Sequence, residues 1–210
     1  DLVTQSYHAA KIITTGEGGS VLTNNTKFDK KLKSLRSHGV SKDLSLTKKY
    51  GPWFYSMQEL GYNYRLSDIN CALGISQLSK LKHFVKRRET LSQRYIKSFK
   101  NIDGLKFQQI NIKAKSAYHL FILCINFKKF KITKIEFFDK LKKKGINLQV
   151  HYIPLHYQKF YKEQIKIKNN NLKNSKEYYD EAVTIPLYHS LSFSNQKRII
   201  KEIKKILKLN

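Results

Sequence analysis

Lys11 stands five residues after Ser6, behind a strand-like LVTQSYH and ahead of the turn TTGEGG. Lysine is the side chain that condenses with an aldehyde, and burial or a neighbouring positive charge makes it nucleophilic. In a chain this rich in lysine the residue type alone says little, so position carries the weight. SYHAAK brings a hydroxyl, an imidazole and an amine (Ser6, His8, Lys11) into one short stretch. TTGEGG lacks the Lys-Ser/Thr ending of a P-loop and reads as a tight turn entering a strand. A second polar group, Asn63 and Arg65 in ELGYNYRLSDIN, leads into a helix start at Ser67 and Asp68. Arg65 there either pairs with Asp68 or meets a ligand. Farther on, QVHYIPLHYQKFY offers His151, Tyr152 and His156 for a substrate cleft, although a lone histidine is more often structural. Neither the histidines nor the carboxylates repeat at metal-ligand spacing, so no metal is expected.

The elements that must position these groups follow from periodicity. LVTQSYH and SVLTN read as strands around the turn. Asn24, Asn25 and Thr26 start a helix that carries Phe28, Leu32 and Leu35 on one stripe and stops before Gly39. Residues 40–60, with Gly51, Pro52 and Trp53, read as a long loop. Beyond Ser67, the stripe Ile69, Leu73, Leu78 and Leu81 predicts a helix packed into a core or an interface, and a second follows through Phe84, Leu91, Tyr95 and Phe99. LKF, YHLFILCINF and INLQVHYIP then read as strands, with ITKIEFFDKLKKKG as a helix between the last two. SFSNQKRIIKEIKKILKLN closes the sequence as a capped amphipathic helix. Cys71 and Cys124 sit in apolar surroundings far apart, and buried thiols are expected.

Composition narrows the function classes. A formal charge of +26 suggests a polyanion partner, but the excess is mostly lysine spread over all 210 residues, with no nucleic-acid-binding motif. The alternative of a basic nucleic-acid-binding module is therefore set below an enzyme, and no nucleic acid or membrane partner is expected. There is no apolar run long enough to span a bilayer and no signal-peptide pattern, which reads as a soluble, cytoplasmic chain. The first residue is Asp1 and not methionine, so a piece of a longer protein is expected.

SYHAAKIITTGEGG resembles the SFHxxKxxTTGEGG signature of the DegT-type sugar-nucleotide aminotransferases, and ELGYNYRLSDINCALGISQL resembles that family's LGxNYRMTDIQAALGLxQL almost position by position. LRSHGV, with Arg36 and His38, and QVHYIPLHYQKFY agree with it as well. The resemblance implies the C-terminal part of a fold-type I aminotransferase, an α/β protein. Residues 1–82 would be a remnant of the large cofactor domain, and residues 83–210 a small α+β C-terminal domain. It implies pyridoxal 5'-phosphate as cofactor, held by Lys11, with Ser6 on its phosphate and Asn63 reaching the phosphate of a partner subunit in a homodimer. His8, Arg65, His151, Tyr152 and His156 fall to the substrate side.

Within the family, WFYSMQELGYNYRLSDI and VHYIPLH look most like enzymes that aminate a UDP-linked 4-keto-6-deoxy-N-acetylhexosamine on the way to pseudaminic acid, with glutamate as the expected amino donor. Relatives that use the cofactor for dehydration commonly carry histidine in place of the lysine, so Lys11 favours transamination. The family's partner for the pyridine nitrogen, its stacking aromatic and its phosphate turn lie upstream of the lysine. The isolated chain is therefore expected to be impaired in catalysis, or an inactive remnant, and to expose apolar surface and be poorly soluble.

Overall fold

The computed structural model describes residues 1–42, 44–111, 113–164 and 172–209. They form two compact units, Asp1–Lys82 and His83–Asn210.

In the first unit, strands β1 (Val3–Ser6) and β2 (Gly19–Leu22) pair antiparallel, with Ser6 opposite Gly19. Helix α1 (Thr26–Arg36) follows, and the Asn25 side chain accepts from the amides of Lys27 and Phe28, satisfying two of the donors a helix start leaves over. Short strands β3 (Val40–Ser41) and β4 (Ser56–Met57) pair around helix α2 (Leu44–Tyr50). The sequence predicted only a loop there; α2 is one short helix with no apolar period to announce it. Helix α3 (Asp68–Ser79) is capped by Ser67, which accepts from the Asn70 amide.

The stripe expected to pack into a core or an interface is open within this chain: Ile69 is 84% exposed, and Leu73 and Leu78 are exposed too. Two two-stranded hairpins and three helices do not provide a layer to cover that face, since an amphipathic helix needs an opposing element. Cys71, on the same helix, is exposed rather than buried, and Cys124 is half-buried.

The second unit holds the apolar core. Helix α4 (Leu81–Phe99) buries Phe84, Leu91, Tyr95 and Phe99 on one face. Against it lies an antiparallel sheet of β5 (Leu105–Phe107), β6 (Phe121–Ile125) and β7 (Ala182–Ile185), with β6 central. Phe121, Leu123 and Ile125 alternate inward from β6, as the period of a strand requires. Helix α5 (Lys134–Lys142) starts at a capping box between Thr133 and Glu136. Hydrogen bonds from the Thr133 backbone and side chain hold the Glu136 carboxyl below its ordinary range. Helices α6 (Lys159–Gln164), α7 (Lys173–Glu181) and α8 (Phe193–Ile206) complete the unit; α8 seats Ile199 and Ile203 on the core.

The stretch INLQVHYIP does not form the expected strand. Only Gln149 bridges to Thr184, and the sheet's third strand is Ala182–Ile185. Arg88, buried in α4, donates to the carbonyls of Tyr118, His119 and Leu187, tying two chain reversals to one helix. Among the described residues no helix is long and apolar enough to cross a membrane.

Candidate active site

Lys11 lies in the long excursion that joins β1 to β2. Tyr7 fixes the base of that excursion: its amide donates to the Gly18 carbonyl at 2.8 Å, and its own carbonyl accepts from Thr15 N at 3.0 Å and Thr14 Oγ1 at 2.9 Å. The next turn is built from the candidate residues themselves. Ser6 Oγ accepts from His8 N at 3.4 Å, His8 Nδ1 accepts from Ala10 N at 3.1 Å, and the His8 carbonyl accepts from Lys11 N at 2.9 Å. Because Nδ1 is an acceptor, the neutral His8 ring carries its proton on Nε2, which lies 3.5 Å from Glu17 Oε1. The backbone under Lys11 is thus set by three local hydrogen bonds. Its side chain is exposed and enters no hydrogen bond or ion pair among the described residues.

The excursion is fastened to α3 through a contact that the sequence did not reveal: Asn70 Nδ2 donates to the carbonyl of Thr15, which is buried. Asn70 is a polar residue in the first turn of an apolar helix, and that misplacement is the signal that marks it.

Asn63 is positioned from the end of α1. Tyr62 N donates to Leu35 O at 2.7 Å, His38 N to Tyr62 O at 2.9 Å, and Tyr64 N to Arg36 O at 2.9 Å, with Ser37 and Asn63 bridged as a pair. Two glycines make this approach possible. A Cβ on Gly61 would lie 2.1 Å from Gly39 N, and one on Gly39, at φ +65°, would lie 2.1 Å from Glu59 O. LRSHGV and ELGYNY are therefore two sides of one junction. Glu59 locks it further: its carboxylate accepts from Lys31 and from Ser34 Oγ, and the Lys31 ammonium is the main reason its pKa falls below the ordinary value. The Asn63 carboxamide is left exposed and unpaired among the described residues. Among the described residues Arg65 forms no ion pair with Asp68, the structural role the sequence offered for it.

The remaining candidates belong to the second unit. His151 Nδ1 shares a hydrogen bond of 2.8 Å with Thr184 Oγ1, which gives the ring a structural partner. The Tyr152 ring meets it edge-on at 4.7 Å and is otherwise exposed. His156 is half-buried, with its ring 4.4 Å from that of Tyr157. Among the described residues no group of acidic, histidine or cysteine side chains has the arrangement of a metal site.

Residues 1–204 match the model of the DegT/DnrJ/EryC1/StrS aminotransferase family. The chain belongs to that family. A UDP-4-amino-4,6-dideoxy-N-acetyl-beta-L-altrosamine transaminase of Campylobacter jejuni is 39% identical over 197 residues, which are 94% of this chain and 50% of that protein. The spore coat polysaccharide biosynthesis protein SpsC of Bacillus subtilis is 32% identical over 99% of the chain and 54% of its own length. Among solved structures, Helicobacter pylori PseC, an aminotransferase involved in the biosynthesis of pseudoaminic acid, superposes with a TM-score of 0.88 at 30% identity, over 99% of this chain and 53% of that one. The chain spans about half the length of the curated relatives it matches. That proportion agrees with the C-terminal part of a fold-type I aminotransferase, and the mixed helix and strand architecture matches that fold.

Proposed function

We propose that this chain is the lysine-bearing part of a pyridoxal-phosphate-dependent transaminase that places an amino group on a nucleotide-linked 4-keto-6-deoxy sugar, with glutamate as donor, in the assembly of a pseudaminic-acid-like surface sugar. The observation that carries the reading is the excursion at Lys11: a backbone pinned by Ser6, His8 and Tyr7, presenting an ammonium that has no partner among the described residues.

The donor set fits the cofactor. An amine answers its aldehyde, while the Ser6 hydroxyl and the Asn63 carboxamide, both exposed, supply neutral N–H and O–H donors for a phosphate. When bound, pyridoxal phosphate supplies the electron sink that lets an amino group pass between an amino acid and a sugar ketone. With the group bound, Lys11 Nζ would hold it, and once released the same nitrogen would be placed to take a proton from the donor's α carbon and hand it back in the exchange. His8, with its Nε2 proton directed to Glu17, keeps the turn at Lys11 closed. Asn63, on a rigid junction but unpaired at its tip, serves the phosphate of a second subunit, which makes the working form a homodimer. Arg65, Tyr152 and His156 are assigned to the substrate, and His151 to the framework that holds Tyr152.

The test is borohydride reduction after incubation with pyridoxal phosphate, on this chain and on Lys11→Ala, with the labelled peptide located by mass spectrometry. Label on the peptide that contains Lys11, lost in the variant while other lysines stay unlabelled, is the expected result. Labelling spread over surface lysines, and unchanged in the variant, would refute the assignment.

A further inference from the structure

Between α2 and β4 the chain makes a four-residue turn, Gly51-Pro52-Trp53-Phe54, closed by Phe54 N donating to Gly51 O at 3.0 Å. Proline at the second place presets the turn. Gly51 N donates back to Thr47 O at 2.9 Å, and the Tyr50 and Phe54 rings meet at 4.9 Å, so the turn is anchored on both sides. The indole of Trp53 rests on Gly51: a Cβ there, at φ +109°, would fall 2.5 Å from Cζ2 and 2.7 Å from Cε2. One face of the ring is thus held against glycine backbone, and the residue is still 76% exposed. Lys48 and Lys49 stand in the last turn of α2 just before it, and no acidic residue occurs from Leu44 to Gln58.

We infer that Trp53 is a stacking platform for the nucleobase of a nucleoside diphosphate, with Lys48 and Lys49 supplying positive charge toward the diphosphate; this rests on the nucleotide-sugar reading given above. An indole supported on one face offers the other to a flat ring without first losing rotamer freedom, and stacking of this kind needs no hydrogen-bond match. The local excess of positive charge selects an anionic partner over a neutral sugar or an apolar protein surface.

Trp53 is the sole tryptophan of the chain, so emission excited at the red edge, where tyrosine does not absorb, reports this position alone. The protein is titrated with UDP, UMP and inorganic pyrophosphate, and UDP affinity is measured by calorimetry for the parent, Trp53→Ala and Trp53→Phe, with circular dichroism to confirm an unchanged fold. UDP and UMP are expected to quench to saturation and pyrophosphate to leave emission unchanged. Trp53→Ala should raise the UDP Kd about five-fold or more, and Trp53→Phe should keep most of the affinity. Absence of quenching by UDP, equal quenching by pyrophosphate, or a blue shift that follows protein concentration and ignores UDP overturns the proposal. Borohydride labelling in the same preparation separates it from the transaminase reading. Label on Lys11 without UDP quenching overturns the platform alone, quenching without label overturns the transaminase alone, and loss of both overturns both.

Discussion

Replacing Gly61 with alanine tests whether the junction between α1 and the Tyr62–Tyr64 segment is what presents Asn63. The new Cβ would sit 2.1 Å from Gly39 N, 2.4 Å from His38 C and 2.9 Å from Gly39 Cα. All three are backbone atoms, so no side-chain rotation relieves the clash, and the two strands of the junction must part. Parting them opens the bonds Tyr62 N to Leu35 O, His38 N to Tyr62 O and Tyr64 N to Arg36 O. At about 1 kcal/mol net for each bond, the junction loses about 3 kcal/mol, roughly a hundredfold in its local opening equilibrium. Hydrogen exchange resolved by residue is the assay. The Gly61→Ala protein should lose protection at the amides of His38, Tyr62 and Tyr64, while the amides of β6 and α8 exchange at their original rates. The control is Gly145→Ala, where φ is +67° but a Cβ has nothing within 4 Å, so its cost is local strain alone. Full protection at the three junction amides of Gly61→Ala would refute the argument, because it would mean the close approach is not needed to hold them.

Arg88→Met should destabilise the second unit by about 3 kcal/mol in chemical denaturation, because its bonds to the carbonyls of Tyr118, His119 and Leu187 are lost; a change below about 1 kcal/mol would show that the loops find other partners. His189 lies over Phe84 with ring centroids 4.1 Å apart, and burial, followed by Arg88 and His83, lowers its pKa from 6.5. The unfolded chain therefore takes up this proton first, so stability should fall as pH drops through 6.5 and level off once the folded ring is charged as well. His189→Phe should flatten that part of the stability profile, and an unaltered slope would count against the assignment.

How far the sequence could be read depended on whether a residue's partner was local. The caps at Asn25 and Ser67 and the strand at Phe121–Ile125 were legible because their signals lie within a turn or a period of the residue concerned. Ala182–Ile185 was missed for the opposite reason: all four residues are buried, and a short run buried on both faces has no alternation to display. INLQVHYIP has the composition of a strand, yet only Gln149 finds an edge, on Thr184. The apolar stripe of α3 is spaced as expected and is not covered within this chain; spacing reports which residues share a face and says nothing of what opposes it. At the candidate site, Ser6, His8 and Lys11 were legible because one turn contains them. Asn70, which ties that turn to α3 from 55 positions away, was not.

The three arginines of α4 bear on which basic residues are interchangeable in this sequence. In a chain of abundant lysine, arginine stands at Arg36, Arg65, Arg87, Arg88, Arg94 and Arg198. Arg88 donates to three carbonyls from Nη1 alone. Arg87 grips His189 O and Leu191 O and, together with Arg94, covers the ring of Phe193, while Arg198 holds Lys144 O. An ammonium is a point charge and cannot reproduce the planar group with which Arg87 reaches two carbonyls from separate nitrogens while covering the Phe193 ring. Lysine at that position would keep the charge and lose its shape. Arg36 and Arg65 are the two whose side chains find no such partner among the described residues, and they flank the junction that presents Asn63.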